Sequence, residues 1–331
     1  MAKIVVTDSD FEVSDIEQKM IEEAGIEFER FQDRSAAGII ANCADADGAI
    51  TAYGQFTAEV FSALPQLQVV SRTGVGVDTV DVPAATAAGV AVCNVPGYAT
   101  EVVSDHAIAM TMALLRRLPE INADVHDGIW DYARHRPLGQ VYGRTFGVVG
   151  MGDIGRAVAR KASGLGFRVI CWSHSLVPGR RTPEGYDVVS LNDLFKHADV
   201  VSFHTALVPA THHLLNADNI KLLKNDCIVI NTSRGAVVDT SAVAAALKAG
   251  ELWGAGIDVF EEEPIAANDP LMSAPHALLT PHAAYWSEES GVELRTRTTQ
   301  NAIDVVLWRE PHDCLNKQVF GANGKLAKLA R

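Results

Sequence analysis

A glycine-rich turn between a predicted strand and a predicted helix constrains the fold of this chain more than any other sequence feature. The apolar run FGVVG precedes the turn and the helical sequence RAVARKASGL follows it. The turn consists of Gly150, Met151, Gly152, Asp153, Ile154 and Gly155. In this pattern the first glycine permits a tight bend, the second lets the backbone approach a pyrophosphate, and the third lets helix and strand pack closely. The helix N-terminus adds free N–H groups. We therefore predict a dinucleotide-binding α/β domain, with a purely structural turn as the alternative.

The end of the next predicted strand bears on which dinucleotide is bound. Domains that bind NAD usually place Asp or Glu about 20 residues after the turn, where it accepts from the ribose 2′-OH. Here the strand at 167–172 is followed by Ser173 and no acid, and Arg180 and Arg181 come a short loop later. A missing acid removes repulsion against a 2′-phosphate, and the two cations would attract it. NAD and NADP therefore both remain open, because the arginines can also be solvated loop charges.

The rest of the chain alternates short β-rich runs with amphipathic stretches, a pattern typical of βαβ units and parallel sheets. A length of 331 residues predicts two domains at about 150 residues each. Strands are expected at 3–7, 48–51, 69–71, 90–92, 146–149, 167–172, 200–203, 228–230, 255–259 and 278–280. The more clearly marked helices are expected at 15–23, 100–117, 154–165, 239–249 and 288–307.

Composition excludes several classes of function. With 28 basic and 41 acidic residues the formal charge is −13, which disfavours nucleic-acid and anionic membrane partners. Five scattered cysteines argue against a disulfide framework and a zinc site, so no metal is expected. The N-terminus does not resemble a signal peptide, and the apolar stretch at 107–115 is far short of the ~20 residues that span a bilayer. We expect a soluble, cytoplasmic protein.

The predicted helix at 100–117 is apolar on more than one stripe, so more than one of its faces should be buried. It can be a core helix, or a helix at an interface between domains or subunits. A single domain is not expected to cover so many apolar faces. We therefore predict a homodimer.

Three polar segments follow predicted strands of the second series: NTSRG at 231–235, EEEP at 261–264 and PH at 281–282. Ligands of open parallel sheets bind at the carboxyl ends of the strands. At this point the chain closely resembles the D-isomer-specific 2-hydroxyacid dehydrogenases, which include phosphoglycerate, glyoxylate/hydroxypyruvate and D-lactate dehydrogenases. The resemblance covers nearly the whole chain and rests on the ordered set GMGDIG, NTSRGAVVD, GIDVFEEEP and TPH.

The resemblance implies two Rossmann-like, doubly wound parallel-sheet domains. A substrate domain at 1–98 and 283–331 would contain an inserted dinucleotide-binding domain at 99–282. The implied activity is hydride transfer between NAD(P)H and a small 2-oxo acid or D-2-hydroxy acid.

The resemblance also implies catalytic roles that are chemically reasonable. His282 would be the general acid/base, because imidazole exchanges protons near the working pH. Glu263 would orient the ring and favour its protonated form. Arg234 would bind the carboxylate and carbonyl oxygens of the substrate as a fork.

Other roles follow by similarity alone. Asp258 would point at the nicotinamide carboxamide. Further cofactor contacts would come from His106, Thr205, Thr211 and Thr232. The backbone N–H groups of the loop at Gly74, Val75 and Gly76 would bind the substrate carboxylate. The aromatic ring of Tyr285 would also contact the substrate.

The residues after His282 read Ala283-Ala284-Tyr285-Trp286, which resembles the corepressor branch of the family, the C-terminal-binding proteins. An alternative function is therefore a cofactor-sensing interaction protein, and another is a dehydrogenase of a different small acid. Because the corepressor branch keeps the arginine, glutamate and histidine, these residues do not separate the alternatives.

Overall fold

Two parallel α/β units make up the chain. The computed structural model describes residues 1–321 and 326. One unit comprises Met1–Tyr98 and Ser287–Arg331, and the other comprises Ala99–Trp286. The chain returns to the first unit between residues 286 and 287, whereas the sequence predicts the crossing between 282 and 283. The end of the predicted substrate domain, at 322–325 and 327–331, lies outside the described residues.

The first unit contains a five-stranded parallel sheet in the order β2-β1-β3-β4-β5. Its strands are β1 (Lys3–Val6), β2 (Glu27–Arg30), β3 (Gly48–Thr51), β4 (Val69–Arg72) and β5 (Ala91–Cys93). The helices between them are α1 (Asp15–Glu23), α2 (Ala36–Asn42), α3 (Ala58–Ala63) and α4 (Val82–Ala88). The inner strands are apolar and buried on both faces, as helices on both sides of a parallel sheet require. The polar edge strand β2 is absent from the sequence-based prediction.

The second unit contains a seven-stranded parallel sheet and five α-helices. Two of the helices precede the first strand, and three lie between strands. The helices are α5 (Thr100–Leu115), α6 (Leu118–His126), α7 (Asp153–Gly164), α8 (Leu191–His197) and α9 (Thr240–Ala249). The strands are β6 (Thr145–Val149), β7 (Arg168–Trp172), β8 (Asp187–Val188), β9 (Val200–Phe203), β10 (Ile228–Asn231), β11 (Gly254–Ile257) and β12 (Ala277–Leu279). Their order is β12-β11-β10-β9-β6-β7-β8, so the direction of winding reverses between β6 and β9. Ligands of doubly wound sheets bind at such a reversal.

The chain then re-enters the first unit as α10 (Glu288–Val306). Ser287 accepts from the Ser290 backbone N–H at 3.1 Å, and Ser290 Oγ accepts from the Ser287 N–H at 2.8 Å. This reciprocal capping fixes where the helix begins. α10 packs against α1, β3 and β4, so its apolar residues complete the core of the five-stranded sheet. The two doubly wound sheets confirm the fold class expected from the sequence.

Helix α5 packs against α7, β10 and β11 of its own unit, which buries part of its apolar surface. Ile108 and Met112 stay half-buried, and Ala109 is exposed. Large exposed apolar side chains lie instead in the segment that follows it. They are Leu118, Val125, Trp130, Tyr132 and Tyr142. Within the described part of the chain, no helix combines the length and the apolar character needed to cross a membrane.

Candidate active site

The glycine-rich turn lies at the reversal point, between β6 and α7. Gly150 has a φ of +97°, and a Cβ there would lie 2.5 Å from the carbonyl oxygen of His204. A Cβ on Gly155 would overlap the carbonyl oxygen of Gly150, whereas a Cβ on Gly152 would have no atom within 4 Å. The first and third glycines therefore permit close packing, and the second faces open space. Gly152 is also the N-cap of α7 and offers no side chain to the first N–H groups of the helix. These groups are available to an anion.

Two buried polar atoms that follow the neighbouring strands β9 and β10 have no hydrogen-bond partner among the described residues. They are Nδ1 of His204, after β9, and Oγ1 of Thr232, after β10. Burial lowers the pKa of His204 to about 3, so its ring is neutral, and its Nε2 lies 2.7 Å from Ser202 Oγ. Since buried polar groups normally have partners, these two atoms and the open turn fit a bound dinucleotide.

The two other threonines assigned to the cofactor have partners inside their own loop. Thr211 Oγ1 donates to the Ala206 carbonyl at 2.7 Å and accepts from the Val208 N–H at 2.8 Å. Thr205 Oγ1 lies 3.4 Å from the same carbonyl. Thr211 is buried, so its hydroxyl closes the loop after β9.

The two arginines after β7 differ in their surroundings. Arg181 Nε lies 3.0 Å from Asp187 Oδ1, so its charge is paired at the start of β8. Arg180 is exposed and has no ion-pair partner in the described ranges, and its carbonyl accepts from the Val188 N–H at 2.9 Å. Ser173 follows the end of β7, with its Oγ 3.5 Å from that of Ser175. Arg180 is therefore the more available cation.

The predicted acid/base pair is formed. His282 Nδ1 lies 2.7 Å from Glu263 Oε2, and Glu263 Oε1 accepts from the Phe260 N–H at 2.9 Å. Burial alone would raise the pKa of Glu263, but these two hydrogen bonds and the charges of His282 and Arg234 hold that pKa below its ordinary value. A charged carboxylate only accepts hydrogen bonds, so Nδ1 of His282 carries a proton.

The loop after β10 orients Arg234. Asn231 is fully buried at the end of β10, and its Nδ2 donates to the Arg234 carbonyl at 2.9 Å. Its Oδ1 accepts from the N–H and the Oγ of Ser233, at 3.1 and 2.8 Å. Arg234 Nη1 donates to the Ser233 carbonyl at 2.8 Å. The charge of Arg234 also contributes to lowering the pKa of Glu263.

Gly235 brings the loop that carries Glu263 against the loop that carries Arg234. A Cβ at Gly235 would overlap the backbone of Phe260 and Glu261. Gly235 does not have a positive φ, so its backbone conformation does not require glycine. The close approach of the Phe260–Glu261 backbone requires it instead.

Asp258 lies beneath the His282 loop. Its fully buried carboxylate accepts from the N–H groups of Ala283 and Ala284, at 2.8 and 3.0 Å, and from Thr280 Oγ1 at 2.5 Å. Its carbonyl accepts from the His282 N–H at 2.8 Å. His282 has a φ of +52°, a conformation that costs a non-glycine residue about 1 kcal/mol or more. These four bonds hold it there. The structure thus shows Asp258 supporting the loop, and its contact with the cofactor stays a prediction.

His106 belongs to the same network. Its Nε2 lies 3.1 Å from Thr280 Oγ1, whose only proton goes to Asp258. His106 must therefore donate from Nε2. Tyr285 packs edge-to-face on the His282 ring, with ring centroids 6.0 Å apart.

The predicted carboxylate loop lies in the first unit, after β4. Gly74 has a φ of +147°, and its carbonyl accepts from the Val95 N–H at 2.8 Å. The Val75 carbonyl accepts from Asn94 Nδ2 at 2.7 Å. These bonds fix the loop through Gly76.

The sequence-based prediction assigns no role to four supporting residues: Asn231, His204, Gly235 and Thr280. Each directly adjoins a predicted strand end or a predicted functional residue, so position next to the motifs is the signal that would have found them.

Comparison with known proteins is consistent with this geometry. The family described as "D-isomer specific 2-hydroxyacid dehydrogenase, NAD binding domain" matches residues 108–284. A glyoxylate reductase of Korarchaeum cryptofilum is 41% identical over 265 residues, which cover 79% of this chain and 80% of that protein. The crystal structure of a Thermus thermophilus protein is 35% identical with a TM-score of 0.86, covering 95% of this chain and 99% of that one. A glyoxylate reductase structure from Paecilomyes thermophila has a TM-score of 0.82 at 26% identity, covering 95% and 97%.

Fold, turn and relatives together define an NAD(P)-dependent oxidoreductase built from two parallel α/β units. Within that class, the chain belongs to the D-isomer-specific 2-hydroxyacid dehydrogenase family, since the matched region exceeds half of its length. The resemblance and the enzyme class predicted from the sequence are confirmed.

Proposed function

We propose that this enzyme reduces small 2-oxo acids to D-2-hydroxy acids, with glyoxylate as the first candidate substrate. The observation that carries the proposal is the His282–Glu263 pair at 2.7 Å, next to the charge of Arg234. Relatives named glyoxylate reductase, at 32–41% identity, support the choice of a small oxo acid.

The residues divide the work between proton transfer and anchoring. Glu263 accepts from Nδ1 of His282 and so orients the ring. Nε2 then donates its proton to the carbonyl oxygen as negative charge develops there. Arg234 forms a fork with the carboxylate and the carbonyl oxygen, which orients the substrate and stabilises that charge. Tyr285 limits the space beside His282.

The turn at 150–155, Thr232 and His204 would hold the dinucleotide, with Ser173 and Arg180 near its adenosine ribose. When bound in reduced form, it supplies the hydride that the carbonyl carbon accepts. Asp258 and His106 position the His282 loop.

The test is oxidation of NADH and NADPH in the presence of glyoxylate, hydroxypyruvate, pyruvate and bulkier aromatic 2-oxo acids, with chiral analysis of the product. We expect turnover of the small acids and a D-configured product from those that form a stereocentre. Cofactor binding without turnover of any acid would refute the proposal and favour the corepressor-like alternative.

A further inference from the structure

Three metal-ligating side chains cluster on two loops of the Ala99–Trp286 unit, outside the acid/base pair. His212 and His213 lie in the loop after β9, and Glu261 lies in the loop after β11. The three ligand atoms, one from each residue, all lie within 4.8 Å of one another. The proposed reaction uses none of these side chains.

We propose that His212, His213 and Glu261 bind a divalent transition-metal ion, with Zn²⁺ as the representative. Two imidazoles and one carboxylate form the protein ligand set of open, three-ligand zinc sites. Imidazole nitrogen selects zinc, copper and nickel, whereas Mg²⁺ and Ca²⁺ prefer oxygen alone. The chemistry of the set therefore defines the class of ion.

The geometry is close to what such an ion needs. His213 Nε2 lies 3.1 Å from Glu261 Oε1. Two ligands each ~2.1 Å from a tetrahedral ion are about 3.4 Å apart, so this pair already spans one edge of the tetrahedron. The His212 ring stacks on that of His213, with centroids 4.1 Å apart and planes at 29°. His212 is exposed, so its ring can rotate to bring the third ligand in.

The backbone holds two of the ligands in place. His213 has a φ of +46°, which a non-glycine residue rarely adopts. Its N–H donates to the Ala236 carbonyl at 2.8 Å, and its carbonyl accepts from Asn216 Nδ2 at 2.9 Å. On the other side, the close approach at Gly235 fixes the backbone of Glu261. A site that is already in place loses less conformational freedom on binding.

An ion at this position would join the loop after β9 to the loop after β11. Because the unfolded chain does not hold the three ligands together, binding would favour the folded state and raise its melting temperature. Mg²⁺ would have no comparable effect.

The experiment uses the full chain without a polyhistidine tag, stripped with EDTA and titrated calorimetrically with Zn²⁺ or Mg²⁺. We expect saturable micromolar binding of one Zn²⁺ per chain. His213→Ala and Glu261→Gln should each weaken it at least about tenfold. The matched control is His276→Ala, which removes another half-exposed histidine paired to a carboxylate, at 2.8 Å from Glu120 Oε1. It should bind Zn²⁺ as the wild type does.

Melting curves supply the second readout. Zn²⁺ should raise the melting temperature of the wild type and of His276→Ala, and raise that of Glu261→Gln by less at the same concentration. Glu261→Gln is an isosteric change at an exposed position, so the fold stays measurable even if His213→Ala does not fold. Equal Zn²⁺ affinity in the wild type and both cluster variants would overturn the proposal, as would the absence of saturable binding.

Discussion

Replacement of Gly235 by alanine is expected to damage catalysis by moving Glu263, although Gly235 contacts no reacting atom. The added Cβ would lie about 1 Å inside the shortest contact that real Cβ atoms make with backbone, and its neighbours are the backbone atoms of Phe260 and Glu261. The 260–263 loop must therefore shift by about that much. A misplacement of about 1 Å can cost a factor of about 100 in rate. We predict a fall of that size in kcat for 2-oxo acid reduction.

The control is Gly164→Ala, at the exposed end of α7, where a Cβ would meet no atom within 4 Å. It should leave kcat unchanged. Cofactor affinity should also change little in Gly235→Ala, because the glycine turn at 150–155 lies on other strands.

A double-variant cycle shows whether the effect passes through Glu263. Glu263→Gln removes the carboxylate that accepts from His282 Nδ1, so kcat for reduction should fall. Gly235→Ala should also lower kcat, and a circular dichroism spectrum like that of the wild type should exclude loss of folded enzyme as the cause. The double variant should lose little more than the worse single variant. Wild-type kcat in Gly235→Ala, or additive losses in the double variant, would refute the reasoning.

Three further predictions concern the anchor, the cofactor and the assembly. Arg234→Lys keeps the charge and loses the planar fork, so it should raise KM for the oxo acid strongly and lower kcat; near-wild-type values for both would place the carboxylate elsewhere. The wild type should use NADPH at least as well as NADH. Ser173→Asp should reduce NADPH use, because the new carboxylate repels the 2′-phosphate. A tenfold preference of the wild type for NADH would contradict the predicted cofactor use. We predict a homodimer whose interface covers the segment around Trp130, a side chain that is 90% exposed. Light scattering should show a dimer, and Trp130→Ser should weaken it. A concentration-independent monomer would rule out the predicted dimer.

The strand–turn–helix around Gly150 was predictable because its constraints are local. Within six residues the chain needs a tight bend at Gly150, open space at Gly152 and close backbone packing at Gly155. The edge strand β2 was not, because its sequence EFER has no apolar alternation beyond Phe28. Its strand geometry comes from pairing with β1, a tertiary contact that local sequence does not encode.

The functional segments were recognisable, but their internal connections were not. Asp258 can be identified as an important acid from GIDVF. That its carboxylate accepts from the 280–284 segment depends on how two strand ends meet. Gly235 likewise contacts residues some 25 positions away. Helix α5 packs against α7, β10 and β11 of its own unit, whereas Ala109 stays exposed. Sequence periodicity does not tell which apolar residues of such a helix its own unit buries.

The most direct test of the proposed reaction is the rate of 2-oxo acid reduction by His282→Ala, measured beside the dissociation constant of the reduced cofactor. Loss of a positioned general acid typically costs a factor of about 100 or more. We predict a fall of at least that size in kcat, with cofactor affinity nearly unchanged, because the glycine turn that would bind the phosphates is intact. Near-normal turnover in His282→Ala would remove this residue from the mechanism and contradict the account of the site.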